Sequence, residues 1–130
     1  MAWLLLLTHA LWVVSLADDK PDADFKQRVK QVSPGMYRVG DVTVDAKLGM
    51  AVFPAKVNQL VGLIEYTLVT EIGKVHESFL STKARPSDIH AAMLLLGAKS
   101  PGAVTIEIAW KVDDKWVRKP MLNFIGQYPL

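Results

Sequence analysis

The stretch that decides the predicted fold is residues 63–97, LIEYTLVTEIGKVHESFLSTKARPSDIHAAMLLLG. Its first half contains two runs, residues 63–70 and 75–82, which are rich in β-branched and aromatic residues and are therefore typical of strands. Gly73 lies between the two runs and can adopt the positive φ angle that a tight turn requires. The pattern therefore predicts an antiparallel hairpin.

The second half of this stretch predicts one short helix over residues 86–97. Pro86 ends the preceding strand, Ser87 offers a capping oxygen, and Asp88 places a carboxylate near the positive end of the helix. Gly97 fits the position just beyond a helix end. Because apolar residues then surround nearly the whole helix, we expect it to be buried on several sides. The predicted fold class is α+β, with an antiparallel β-sheet packed against this one short buried helix.

Shorter apolar runs outside this stretch extend the predicted sheet. Gly40 and Asp41 form a turn pair between two of the runs, which predicts a hairpin there. Pro54 directly follows another run and restricts that strand to an edge or an end of the sheet. The predicted strands are residues 36–39, 42–46, 50–53 and 104–111, the last followed by a charged turn at 113–115 and a partner strand at 116–117.

The N-terminal residues predict a secretory signal peptide. Residues 1–16 carry no charge, and residues 3–14 are almost entirely apolar. As a helix this apolar run would span about 18 Å, which is short for a bilayer core of about 30 Å and fits the apolar region of a signal peptide. Small residues at Ser15 and Ala17 predict cleavage after Ala17. Because no Lys or Arg precedes the apolar run, an uncleaved membrane anchor is the alternative.

The sequence then predicts two further segments after the signal peptide of residues 1–17. Residues 18–35 are expected to form a polar leader, which is either a solvated tether or a charged docking arm. Residues 36–130 are expected to form a single α+β domain. Export would place this domain in the periplasm or outside the cell, with no membrane span after cleavage.

Composition excludes several classes of function. The chain has 130 residues, no cysteine and a formal net charge of +2. The absence of cysteine excludes disulfide frameworks, thiol catalysis and cysteine-ligated metal centres. The small net charge gives no reason to expect a nucleic-acid partner. No phosphate-binding glycine loop and no nucleophile elbow around a serine is present, so no catalytic residue is assigned.

Two histidines of the expected mature chain each lie beside an acidic residue. A zinc-protease motif starting at His76 would need a second histidine at position 80, which is Leu80. On a strand His76 and Glu77 point to opposite faces of the sheet. In one register Glu77 lies on the apolar face and needs a partner such as His90 or Lys83, because an unpaired buried carboxylate is costly. In the other register Glu77 is exposed.

These patterns define a small set of candidate residues. The histidines, with an adjacent acid, are candidates for a site that holds zinc or another divalent metal, although their spacing alone supports such a site only weakly. No other cofactor is predicted. The candidate ligand-binding residues are His76, Glu77, Ser78, Asp88 and His90, and the candidate metal ligands are His76, Glu77 and His90.

Four blocks of residues between about 52 and 111 resemble the YdjY-type domain, a family of exported bacterial proteins that is common in planctomycetes. The blocks are FPAKVN at 53–58, LIEY at 63–66, GKVHES at 73–78 and PSDIHAAMLLLG at 86–97. The resemblance implies an exported α+β domain and points to the candidate residues already named, together with Glu65. It implies no reaction, because no activity is established for the family.

The function expected from the sequence is a non-enzymatic binding or interaction module with a protein or small-molecule partner. In that case a face or an edge of the sheet would bind the partner. The alternative is a domain that binds a metal or small ligand through His76, Glu77 and His90. A third hypothesis is a hydrolase in which Glu77 or Asp88 acts as general base together with a histidine.

Overall fold

The computed structural model of the chain describes residues 2–5, 25–99 and 102–125. Within these residues it contains nine strands, a ten-residue helix and shorter helical turns. The strands are β1 (Ala2–Leu5), β2 (Val29–Ser33), β3 (Met36–Val39), β4 (Val42–Asp45), β5 (Met50–Val57), β6 (Tyr66–Thr70), β7 (Ser78–Thr82), β8 (Glu107–Val112) and β9 (Lys115–Pro120). The α-helices are α1 (Phe25–Arg28) and α2 (Pro86–Leu95), and 3₁₀ turns occur at Val75–Glu77 and Met121–Asn123.

The strands form one mixed sheet with a branch at β5. The main path has the order β2-β3-β4-β5-β1-β8-β9, and each neighbouring pair on it is antiparallel. Strand β7 pairs with the end of β5, and β6 pairs with β7. The α+β fold class is therefore confirmed, whereas a wholly antiparallel sheet is not.

The predicted antiparallel hairpin over residues 63–82 is wrong. Strands β6 and β7 are parallel, with Tyr66 opposite Ser78 and Thr70 opposite Thr82. The chain between them folds back and forms a 3₁₀ turn at Val75–Glu77. The Ser78 hydroxyl donates to the Val75 carbonyl at 3.0 Å, and this local hydrogen bond favours the turn over extended chain. Residues 75–77 are therefore not a strand.

Strand β5 is longer and more central than the sequence indicated. It continues through Pro54 to Val57 and pairs with β4, β1 and β7. Pro54 lies between Val52, the last residue paired with β4, and Lys56, the first residue paired with β7. The strand tolerates proline there because the partner strand changes at that point.

Part of the expected polar leader belongs to the folded domain. Within residues 18–35, Phe25–Arg28 form α1 and Val29–Ser33 form strand β2 at one end of the sheet. Val29 lies opposite Val39, and Gln31 lies opposite Tyr37. The pairing with β3 turns this polar segment into an edge strand rather than a tether.

Helix α2 begins and ends close to the predicted residues, but its environment differs from the prediction. It packs against β3, β4 and β5 and buries Asp88, Ala91, Ala92 and Met93. Leu94 and Leu95 are exposed, so the helix is buried on one side rather than several. The N-cap residue is Arg85, without a side-chain capping bond, and Pro86 occupies the first turn.

The β3–β4 hairpin at Gly40 and the β8–β9 hairpin are confirmed. Val39 lies opposite Val42, and Trp110 lies opposite Val117. Asp113 and Asp114, with φ angles of 47° and 62°, form the turn between β8 and β9. Strand β8 begins at Glu107, three residues later than the alternation predicts.

The core lies between α2 and the central strands. Its largest fully buried apolar side chains are Phe53 and Leu80. After β9 the chain turns back, and the Phe124 ring stacks on Phe79 with centroids 5.8 Å apart. The other buried core residues are Val39, Val42, Val44, Ala51, Ala55, Phe79, Ala84, Ala91, Ala92, Ile108 and Met121.

The first residues of the expected signal peptide lie in the sheet. Ala2–Leu5 form β1, which is antiparallel to both β5 and β8. The rest of the predicted apolar run and the expected cleavage position after Ala17 lie outside the described residues. No helix in the described ranges has the length and apolar composition needed to span a bilayer.

Candidate functional site

Glu77 lies on the surface, just before β7. Its Oε2 accepts a hydrogen bond from Lys74 Nζ at 3.1 Å, and its Oε1 lies 3.2 Å from His76 Nε2. The His76 side chain is 78% exposed. The partner of Glu77 is therefore Lys74 rather than His90 or Lys83, and the carboxylate is not inside an apolar face.

The charges of this surface group stabilise each other. The hydrogen bond from Lys74 lowers the pKa of Glu77, with a smaller contribution from His76. The same hydrogen bond to Glu77 raises the pKa of Lys74. Both shifts favour the charged forms, so Glu77 is a stable carboxylate near neutral pH rather than a general acid.

Ser78 is buried and holds a structural position. Its hydroxyl accepts a hydrogen bond from Asn58 Nδ2 at 2.8 Å and donates to the Val75 carbonyl at 3.0 Å. The Asn58 Oδ1 atom in turn accepts from the Ser81 hydroxyl at 2.8 Å. This network links the end of β5 to β7. Because the Ser78 side chain is buried and hydrogen-bonded to Asn58 and Val75, its placement fits a structural role rather than a ligand-binding one.

Asp88 is also buried, but at a different place. It is 1% exposed in the first turn of α2, and its Oδ1 lies 3.4 Å from Arg28 Nη1. Gly40, in the β3–β4 turn, lies so close that an added Cβ atom would collide with the Asp88 carboxylate. Asp88 therefore connects α2 to both the leader and the hairpin turn.

The five candidate residues do not converge on one site. His76, Glu77 and Ser78 lie at the start of β7, whereas Asp88 and His90 lie on α2, where His90 is exposed. Among the described residues, no three or more His, Asp or Glu side chains are grouped as a metal site requires.

Among the described residues, a strongly exposed apolar segment lies in the loop between β5 and β6, and the sequence patterns did not point to it. Leu60, Val61 and Leu63 are 75%, 89% and 73% exposed. We call these three residues and Gly62 between them the apolar loop. Its sequence signal is the unbroken run LVGL, which follows a polar Asn-Gln pair and precedes a strand.

Strand β6, next to the apolar loop, has one free edge within the part of the chain that the structure describes. The Glu65 amide donates to the Glu77 carbonyl at 2.8 Å, and the Glu71 amide donates to the Thr82 carbonyl at 3.1 Å. The backbone N–H and C=O groups of successive residues in a strand point to opposite sides. Since those of Glu65 and Glu71 point to β7, those of the even-numbered residues between Glu65 and Glu71 point away from β7. The N–H and C=O groups of Tyr66 and Leu68 therefore face the free edge.

The edges of the sheet differ in charge. Strand β9 carries Lys115, Arg118 and Lys119, which is typical of edges protected against pairing. Strand β2 carries Lys30. Strand β6 has the sequence YTLVT and no charge. It is the edge best suited to pairing with another strand.

Comparisons with known proteins found no match to this chain among protein-family models, curated proteins or solved structures.

Proposed function

We propose that the chain is an exported, non-enzymatic interaction module that binds an extended polypeptide along the free edge of β6. The observation that carries this proposal is the continuity between the uncharged edge strand and the exposed apolar loop. Added strands gain affinity from backbone hydrogen bonds and specificity from side-chain contacts. Tyr66 and Leu68 would supply the backbone groups, and the apolar loop would supply apolar contacts.

The acidic residues beside β6 indicate the charge of the partner segment. Exposed acidic residues, Glu65 and Glu71, lie directly before and after β6. The partner segment that suits this edge has an uncharged, β-branched centre and a Lys or Arg at each end. The two acidic residues are six positions apart, about 20 Å at 3.3 Å per residue.

A protein partner fits this surface better than a membrane. Anionic lipid headgroups attract basic segments, whereas the residues that flank β6 are acidic. Free backbone groups are also best satisfied by another strand rather than by lipid. Binding of the apolar loop to neutral lipid vesicles, rather than to a peptide, would contradict a protein partner.

The metal-binding alternative has less support. Only the pair of His76 and Glu77 brings two suitable side chains together among the residues proposed as ligands. Export rests on the N-terminal sequence pattern and on the resemblance to exported YdjY-type proteins. N-terminal sequencing of the secreted protein should show Asp18 as the first residue, and retention of Ala2 would contradict cleavage.

The binding proposal is tested with the full chain and a synthetic peptide, Lys-Val-Thr-Val-Thr-Val-Lys, whose lysines are six positions apart. Its addition should slow hydrogen exchange of the Tyr66 and Leu68 amides. The same peptide with glutamate at both ends should bind more weakly, because Glu65 and Glu71 would repel it. Equal effects of the peptide on all three edges of the sheet would overturn the proposal.

Variants separate the edge from the loop. Tyr66→Pro removes an outward N–H group and should weaken peptide binding while the pairing with β7 remains. Serine at positions 60, 61 and 63 together should weaken binding by about tenfold, or about 1.4 kcal/mol. Leu48→Ser, at a similarly exposed residue remote from β6, is the control. If the triple variant instead abolishes binding to neutral phosphatidylcholine vesicles and leaves peptide binding unchanged, the apolar loop binds membranes.

A further inference from the structure

Strand β1 fills a slot in the interior of the sheet. Its residues pair with both neighbours, so that Leu4 lies opposite Phe53 on β5 and opposite Ile108 on β8. Among the strands that the structure describes, β5 and β8 are joined only through β1. Neighbouring strands are about 4.8 Å apart, so β5 and β8 are separated by two such spacings, about 10 Å. This gap holds one strand.

The walls of the slot belong to the core. Phe53, Ala55 and Ile108 are buried, and they line the positions where β1 lies. Removal of β1 would leave the facing backbone groups of β5 and β8 without strand partners in the middle of a sheet. Unpaired buried backbone groups are costly, so the slot requires an occupant.

Strand β1, which occupies this slot, lies within residues 1–17, the predicted signal peptide. Cleavage after Ala17 would separate residues 2–5 from the domain. We infer that the slot between β5 and β8 is a strand-acceptor site, which β1 fills in the unprocessed chain and an apolar strand of a partner polypeptide fills after cleavage. This inference rests on the export and cleavage in the proposed function.

The charges near the slot specify the incoming strand further. Ala2 lies opposite Ala55 and Trp110, and the next residues on the two walls beyond these are Lys56 and Lys111. Both lysines are exposed. The slot therefore suits a strand of at least four apolar residues, antiparallel to both walls and preceded by an acidic residue.

The test begins with the full, folded chain carrying a flexible protease-cleavable linker between Ala17 and Asp18. After cleavage, residues 1–17 should remain bound and should exchange, in mild denaturant, with a fluorescent peptide Glu-Ala-Trp-Leu-Leu bearing a solubilising tail. Replacing the first leucine of the peptide with aspartate should weaken binding at least tenfold. Replacing its glutamate with lysine should weaken binding by a smaller factor.

Two results would overturn the inference. One is release of residues 1–17 while the amides of Phe53 and Ala109, which face β1, keep their protection from hydrogen exchange, since the sheet would then need no strand there. The other is equal binding of the aspartate peptide. Neither depends on β6, and peptide binding at that edge can be measured on the same uncleaved protein, so failure here is distinguishable from failure of the proposed function.

A disulfide provides a second measurement, because the chain has no cysteine of its own. Ala2→Cys combined with Ala55→Cys places two thiols at directly opposed positions. The disulfide should form in the full chain, retain residues 1–17 after cleavage and block uptake of the peptide. Ala2→Cys combined with Val52→Cys is out of register and is the control. Uptake of the peptide at an unchanged rate in the linked variant would contradict the slot as the binding site.

Discussion

Arg28 and Asp88 form a buried ion pair, with Nη1 of Arg28 3.4 Å from Oδ1 of Asp88. Their side chains are 13% and 2% exposed. Arg28 ends α1, and Asp88 lies in the first turn of α2. The pair thus joins the segment expected as a polar leader to the helix of the domain.

Removal of one member of this pair should destabilise the protein strongly. Arg28→Ala leaves the Asp88 carboxylate buried without its guanidinium, and such changes cost about 3–5 kcal/mol. Urea unfolding measures the loss. Arg38→Ala removes an exposed arginine from the neighbouring strand β3 and should cost less than about 0.5 kcal/mol. Equal effects of the two substitutions would show that the pair contributes nothing.

The close approach of Gly40 to Asp88 predicts that alanine at position 40 destabilises the protein more than alanine at position 49. Gly40 and Gly49 have φ angles of 56° and 64°, so alanine is strained by about 1 kcal/mol or more at either position. Only Gly40→Ala also drives a Cβ atom into the Asp88 carboxylate, whereas nothing lies within 4 Å of a Cβ at Gly49. The free energy of unfolding should fall more for Gly40→Ala, by about 1–3 kcal/mol. Thermal unfolding that shows equal losses would contradict this contact.

The pair of Lys74 and Glu77 predicts a pH dependence at the surface. Lys74→Met should raise the pKa of Glu77 towards its usual value, because the hydrogen bond from Lys74 is the largest cause of the lowered pKa. His76→Gln should raise that pKa less. NMR titration of the Glu77 carboxyl carbon measures both shifts. Lys83→Met, at an exposed lysine before α2, should leave the pKa unchanged.

The sign of the effect on stability follows from both shifts. Because the pKa of Glu77 is lowered, its stabilising contribution is present above the pKa of the unfolded chain and is lost as pH falls through the folded value. Because the pKa of Lys74 is raised, its contribution is lost as pH rises through the folded value. The pair therefore stabilises the protein between these limits. In the Lys74→Met variant, the free energy of unfolding should fall less between neutral and acid pH. An unchanged pH dependence of that free energy would exclude the pair as its source.

The Asn58 network predicts that Ser78 acts through stability. Asn58→Ala removes the side-chain acceptor of the buried Ser81 hydroxyl and the donor to the Ser78 hydroxyl, which keeps its bond to the Val75 carbonyl, at a cost of about 1–3 kcal/mol. Chemical denaturation measures this cost. Asn123→Ala, at an exposed asparagine after β9, is the control and should be nearly neutral. A stable Asn58→Ala protein would show that the network is dispensable.

Local signals explain which elements could be predicted from the sequence. The β3–β4 hairpin follows from Gly40 between two apolar runs, and α2 follows from Pro86 and the apolar residues after it. These elements form through contacts between residues close in the chain. The exposure of Leu94 was not predictable, because the side of α2 that faces the sheet depends on strands far away in sequence.

The candidate site failed for a related reason. The predicted site requires residues 74–80 to be extended, whereas the Ser78 hydroxyl stabilises a 3₁₀ turn before β7. Asn58, which binds Ser78 and Ser81, lies about twenty residues earlier, and no local pattern connects them. The same distance in sequence hides the contact between Arg28 and Asp88.

The sequence by itself determined the mixed α+β composition, helix α2 and the β3–β4 and β8–β9 hairpins, because neighbouring residues set backbone angles and apolar periodicity. Only the tertiary structure decided the parallel pairing of β6 with β7, the place of β1 between β5 and β8, and the partners of Glu77, Ser78 and Asp88. Strand pairing satisfies backbone groups with any strand that packs well on the core, so its register and direction depend on the whole set of strands rather than on one segment.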